Sequence, residues 1–151
     1  MNIKINSNSV KETINLGKKL GKLLKVGDII CLNGDLGAGK TTFTNGVAKS
    51  LGIKEEIISP TFNILKCYFD AKIPLYHIDA YRLEDSNKDI GLEEYIEGNG
   101  IAIIEWPEFI KELLNVNHLV VTIKNKGNDK REFIFTAKDK NYEKKIKELI
   151  K

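Results

Sequence analysis

Asp28-Ile-Ile-Cys-Leu-Asn-Gly-Asp-Leu-Gly-Ala-Gly-Lys-Thr-Thr-Phe43 is the stretch on which the fold turns. Asp28–Asn33 reads as a buried strand, Gly34–Gly39 as a glycine-rich turn, and the residues from Lys40 onward as a helix ending near Gly52. Inside it, Gly34 to Thr41 meets the pattern G-x-x-x-x-G-K-[ST] at every fixed position, between the strand and the helix that the pattern requires. Glycines let the backbone turn tightly and aim successive N–H groups inward, which makes an anion-binding nest at a helix N-terminus. Lys40 supplies a point charge suited to the β- and γ-phosphates of a nucleotide. The Thr41 hydroxyl is a hard oxygen of the kind Mg²⁺ takes. Lys40 is expected to face solvent and phosphate rather than the core.

Outward from this loop the chain alternates strands and helices. Asn2–Ile5 is a short strand candidate, and Ser9 and Glu12 have capping-box spacing. Val10, Ile14, Gly17, Leu20 or Gly21, and Leu24 then share one helical face. Phe62–Phe69 and Ile73–Ile78 are strand-like runs joined by a connection of hairpin length. The polar stretch from Glu84 to Glu97 is expected to be helical, and Ile101–Ile104, bounded by glycine and proline, to be a central strand. Pro107 suits a helix start, with Phe109, Ile110, Leu113 and Leu114 as its apolar face. His118–Ile123 and Glu132–Thr136 flank a second hairpin, and Asn141–Lys151 closes the chain as an amphipathic helix. The expected fold is α/β: a single phosphate-loop domain over residues 1–151, with a mixed sheet of about seven strands, flanking helices and a C-terminal antiparallel hairpin.

A phosphate loop calls for an acid to complete the cation site. Asp79 and Glu105 each end an apolar run, where strands exit an open α/β sheet and ligands bind. One is expected to ligate Mg²⁺ and the other to orient water. Two features carry less weight. Asn125-Lys-Gly-Asn-Asp129 resembles a guanine-reading Asn-Lys-x-Asp, but it is one residue out of register and lies in a hairpin. His77 alternates within a strand, which suits a packed or hydrogen-bonded histidine better than a general base.

Composition narrows the class. With 151 residues, 42% of them hydrophobic and 30% charged, one core can form without disulfides or structural metal. The longest apolar run is Ile101–Ile104, so no membrane helix is expected, and Met1–Ile5 leads into polar residues without a signal-like core. Cys31 and Cys67 stand 36 residues apart and read as buried thiols of a reducing, cytoplasmic compartment. The net charge is only +3, Arg82 and Arg131 are the sole arginines, and the lysines are interleaved with acids. That gives direct nucleic-acid binding no support.

Four blocks occur in order: Gly34–Phe43 (GDLGAGKTTF), Ser59-Pro-Thr-Phe62, His77-Ile-Asp-Ala-Tyr-Arg-Leu83 and Ile104-Glu-Trp-Pro-Glu108. Together they closely resemble the TsaE family, bacterial ATPases of tRNA threonylcarbamoyladenosine biosynthesis. The resemblance implies ATP and Mg²⁺ as cofactors, with Leu36, Gly37, Ala38, Gly39, Lys40, Thr41 and Thr42 at the phosphates. It implies Thr41 and Glu105 as metal ligands and a Walker-B-like role for Asp79, so that Lys40, Asp79 and Glu105 form the catalytic set. Glu105, Trp106, Pro107 and Glu108 would line the nucleotide as a switch. Thr61, in a first switch loop, would face the γ-phosphate, Arg131 would stand near the nucleotide, and adenine would lie around Val10. The implied role is a slowly hydrolysing accessory ATPase of the TsaB and TsaD proteins, with tRNA involved at most indirectly and no membrane. The alternative is a small phosphate-loop kinase, for which 151 residues and two arginines leave little room to build a phosphoryl-shielding lid.

Overall fold

The buried run before the glycine loop is the middle of the sheet. The computed structural model describes residues 1–35, 37–84, 90–114 and 117–151. Its strands are β1 (Asn2–Ser7), β2 (Ile29–Asn33), β3 (Leu65–Tyr68), β4 (Leu75–Asp79), β5 (Ile101–Glu105), β6 (Leu119–Asn125) and β7 (Arg131–Thr136). Its α-helices are α1 (Val10–Leu23), α2 (Lys40–Ser50), α3 (Glu93–Ile96) and α4 (Lys140–Leu149). The seven strands lie in the order β1-β7-β6-β2-β5-β4-β3. β2 pairs parallel with both β5 and β6, and β4 pairs parallel with β5. The outer pairs β1–β7, β6–β7 and β3–β4 are antiparallel. Strands covered on both faces need apolar residues on both, which is why β2, β4 and β5 read as continuous rather than alternating runs. The fold is the α/β mixed sheet that the sequence predicts, with the C-terminal hairpin at β6–β7.

One face of the sheet packs Leu32, Ile103, Phe133 and Phe135 under Phe43 and Val47 of α2, Leu20 of α1 and Ile146 of α4. The other face packs Cys31, Ile78 and Ile104 against Leu92, Ile96 and Ile110. Burial pushes the Cys31 thiol up to about 12, so it stays protonated and inert at neutral pH. Cys67, by contrast, is half-buried on β3, an edge strand with only one neighbour to cover it. Among the described residues no helix is long and apolar enough to cross a membrane.

The Ser9 side chain caps α1 by accepting the Glu12 N–H at 3.1 Å, and Glu12 Oε1 reaches back to the N–H of Asn8 at 3.2 Å. The inward face of α1 is Thr13, Leu16, Gly17, Leu20 and Gly21, so Val10, expected on that face, is exposed. α1 and α2 touch backbone to backbone. A Cβ on Gly17 would stand 2.3 Å from the Phe43 carbonyl oxygen, and one on Gly46 would stand 2.2 Å from that of Ile14. Gly46→Ala is therefore expected to force the helices apart at a cost of about 1–3 kcal/mol, despite alanine's better helix propensity. Thermal unfolding followed by circular dichroism would read this as a drop of several degrees; an unchanged midpoint would contradict the close packing.

Two expected helices differ. Among the described residues of the Glu84–Glu97 stretch only Glu93–Ile96 is α-helical, and Tyr81–Leu83 just before it forms one 3₁₀ turn; residues 85–89 lie outside the described residues. The segment after Pro107 is 3₁₀ over Pro107–Leu113 rather than α, with a break at Ile110. Trp106, the N-cap of this segment, stacks on Phe109 with centroids 6.0 Å apart and planes 5° from parallel. The guanine-motif lookalike is the β6–β7 turn: Asn125 Oδ1 accepts from Gly127 N at 2.9 Å and from Arg131 Nη1 at 3.1 Å, bracing the hairpin.

Candidate functional site

The parallel strands β2, β4 and β5 all end at one edge of the sheet, and the predicted phosphate loop and both candidate acids hang from that edge or from the start of α2. After β2 the chain turns through Gly37 (φ 78°) and Gly39 (φ 107°), backbone conformations that favour glycine. Gly39 is the N-cap of α2 and no side chain caps that terminus. The first N–H groups of the helix are therefore presented to the cavity in front of it. Arg131 ties the loop to the β6–β7 turn: Nε donates to the Ala38 carbonyl at 2.8 Å, and Nη1 to those of Asn128 at 2.7 Å and Lys130 at 2.9 Å.

A cavity of about 520 Å³ opens in front of the loop. It brings together Gly37, Gly39, Lys40, Thr41, Thr42, Thr61, Asp79, Glu105, Trp106 and Arg131 of the predicted set. Val10 lies in a small adjoining recess that shares Gly39, Thr42 and Arg131. Pro107 and Glu108 line a second cavity of about 640 Å³, which meets the first at Lys40 and Trp106. Ala38 is buried behind the loop, and Leu36 lies outside the described residues.

Lys40 corrects an expectation. It is buried at 6% exposure rather than solvent-facing. Its Nζ stands 3.7 Å from Glu105 Oε1 and 4.6 Å from the centre of the Trp106 ring. The loop folds the lysine back over the sheet edge, where a carboxylate and an indole face replace its water. Trp106 itself sits in the left-handed region (φ 58°, ψ 50°), which costs a non-glycine residue about 1–3 kcal/mol and is typical of functional sites. Tyr81 packs on it as well, with ring centroids 5.0 Å apart.

The two acids are in register across β4 and β5, Asp79 opposite Glu105, but their surroundings differ. Asp79 Oδ2 accepts from the Ser59 hydroxyl at 3.0 Å and the Thr61 hydroxyl at 2.9 Å, while Oδ1 accepts from the Tyr81 N–H at 3.0 Å. Asp79 thus ties the Ser59–Thr61 loop to the sheet edge. The root of that loop is clamped to α2 by Asn45, whose Oδ1 accepts from Ile57 N at 2.9 Å and whose Nδ2 donates to Ile57 O at 3.1 Å. Glu105 is held by His77 at 2.6 Å and faces Lys40. His77 is packed and hydrogen-bonded, as the sequence suggests. The parts played by Ser59, Tyr81 and Asn45 are not visible in the sequence; only the hydroxyls of Ser59-Pro-Thr61 signal such a loop.

These donors suit a nucleotide-bound magnesium ion. The hydroxyl of Thr41 and the carboxylates of Asp79 and Glu105 are hard oxygens of residues that line the same cavity. Among the described residues no three His, Cys, Asp or Glu side chains gather into a cage. Mg²⁺ is commonly held in that way, by one or two protein oxygens together with phosphate and water.

Known proteins are similar to this chain along most of its length. The family model for threonylcarbamoyl adenosine biosynthesis protein TsaE matches residues 7–133. The tRNA threonylcarbamoyladenosine biosynthesis protein TsaE of Bacillus subtilis is 48% identical over 139 residues, 92% of this chain and 88% of that protein. Those of Rickettsia prowazekii (45% identical, 82% of this chain and 88% of that one) and Treponema pallidum (39%, 83% and 94%) are similar along most of their lengths. The crystal structure of Bacillus subtilis YdiB superposes with a TM-score of 0.86 at 39% identity, covering 99% of this chain and 95% of that one.

Proposed function

The chain belongs to the TsaE family of threonylcarbamoyl adenosine biosynthesis proteins, and from that membership we propose that it is a Mg²⁺-dependent ATPase serving tRNA threonylcarbamoyladenosine formation as an accessory to the TsaB and TsaD proteins in the cytoplasm. One observation carries the reading. A glycine loop at an uncapped helix start faces Asp79 and Glu105 across a single cavity, with the Lys40 ammonium between loop and acids.

In this reading the backbone N–H groups from Gly37 to Thr42 and the Lys40 ammonium bind the triphosphate. Thr41 and Glu105 would hold the cation, which would supply charge neutralisation to the phosphates. Asp79, through Ser59 and Thr61, sets the loop that closes over the γ-phosphate end. Adenine lies towards the Val10 recess, between the exposed Val10 side chain and Arg131. Hydrolysis by the isolated chain is slow, because both arginines are already engaged: Arg131, at the cavity wall, on the loop backbone, and Arg82 over the Phe62 ring at 5.6 Å. No tRNA contact is needed for any of these steps.

Trp106 makes the binding step observable. It is the only tryptophan and packs on Lys40, the residue that meets the phosphates in this reading. Saturating Mg-ATP is expected to shift its emission, and acceptor-free phosphate release is expected to accompany the shift. No change in emission together with no phosphate release would remove the nucleotide reading. Turnover only with an added small-molecule acceptor would favour a kinase.

A further inference from the structure

His77 is an anomaly of packing. On β4 it shares one face with Leu75 and Asp79 and stands in register with Ile103 of β5, so its position belongs to an apolar layer. It is fully buried, and its Nδ1 has no hydrogen-bond partner among the described residues. A buried, unpaired ring nitrogen costs stability that an aliphatic side chain would not. The other nitrogen makes a short bond: Nε2 lies 2.6 Å from Glu105 Oε2, whereas Lys40 Nζ stands 3.7 Å from Oε1 of the same carboxylate. Since a carboxylate oxygen only accepts, Nε2 carries the proton. Glu105 is therefore hydrogen-bonded to the imidazole and lies beyond hydrogen-bond distance of the ammonium.

We propose that His77 is a positioning residue: by holding Oε2 of Glu105 it keeps this acid from closing onto Lys40, leaving the lysine for phosphate and Oε1 for the nucleotide-bound cation. The proposal rests on the Mg-ATP reading above and adds to it the group that sets Glu105. Without the imidazole, the nearest strong donor to Glu105 is Lys40 itself. The pair would tighten and withdraw from the nucleotide the two groups it needs most.

The test compares His77→Leu, His77→Asn and His77→Gln. Leucine keeps the volume and removes the donor, asparagine keeps an amide too short to reach Glu105, and glutamine carries an N–H to about the place of Nε2. Calorimetry measures the Mg²⁺ concentration that gives half-maximal binding of a non-hydrolysable ATP analogue, and circular dichroism gives each melting temperature. His77→Leu and His77→Asn are expected to raise the Mg²⁺ requirement about 10-fold or more, the scale seen when an outer partner of a metal ligand is lost. His77→Gln is expected to restore the parental requirement, and His77→Leu to melt no lower than the parent. A parental Mg²⁺ requirement in both His77→Leu and His77→Asn would overturn the proposal. So would a His77→Gln protein as impaired as His77→Leu, which would mean that the ring serves only to pack. If the parent itself binds no analogue at any Mg²⁺ concentration, the nucleotide reading falls and takes this proposal with it, an outcome distinct from the other two.

Discussion

Lys40→Ala is expected to lower ATP-dependent phosphate release by about 10²–10³-fold or more, the scale of removing one preorganised charge from a site where negative charge develops. The lysine is positioned for this by burial: at 6% exposure, between Glu105 and the Trp106 face, its ammonium has little water to lose when phosphate arrives. The same burial means that the substitution touches stability as well as function. Alanine leaves Glu105 with His77 as its one close partner and empties the space against the indole. Lys40→Met refills that space without the charge, so it separates the two effects. Both variants should lose turnover, and Lys40→Met should melt closer to the parent than Lys40→Ala. Phosphate release and thermal melts measured side by side decide the matter. A Lys40→Met protein that keeps parental turnover would contradict the role given to the ammonium.

The TsaB–TsaD pair is expected to raise the rate of phosphate release by a large factor, of the order of the 10³–10⁵-fold that partners supply in GTPases whose sites they complete. The physical reason lies in what the cavity lacks. Arg131 spends its Nε and Nη1 donors on the loop carbonyls and the hairpin turn, and the Arg82 guanidinium sits over Phe62. A cavity with one lysine and two acids, whose lining arginine, Arg131, is tied by Nε and Nη1 to backbone carbonyls, binds a triphosphate better than it stabilises the transition state. A steady-state assay with each component omitted in turn reads the effect, and Lys40→Met should show no stimulation. Rapid hydrolysis by the chain alone, indifferent to the pair, would mean that the site is complete by itself.

The loop was legible in the sequence because its constraints are local. Gly37 and Gly39 occupy backbone angles that favour glycine, and strand, turn and helix succeed one another within a few residues. Asp79 and Glu105 were legible for a related reason: each ends an apolar run, and parallel strands deliver their C-terminal ends to the same edge. What escaped depends on contacts between distant segments. The bond of His77 to Glu105 crosses 28 positions and that of Ser59 to Asp79 crosses 20, and spacing carries no sign of either. The burial of Lys40 is set by how far the loop folds back towards β5, a tertiary matter. The 3₁₀ segment after Pro107 accompanies the stacking of Trp106 on Phe109, which helical periodicity alone does not distinguish from an α-helix. Val10 shows the same limit, since a residue at the first turn of α1 shares the apolar period yet extends past the core that would cover it.

The central claim is that this loop, with its two facing acids, is a Mg-ATP site. Calorimetric titration of the purified chain with ATP, in the presence of Mg²⁺ and again with the cation chelated, tests it most directly. The account predicts saturable binding of one ATP per chain, weakened when Mg²⁺ is removed and weakened again in Lys40→Met. No saturable heat with Mg-ATP, or binding indifferent to both the cation and Lys40, would contradict it.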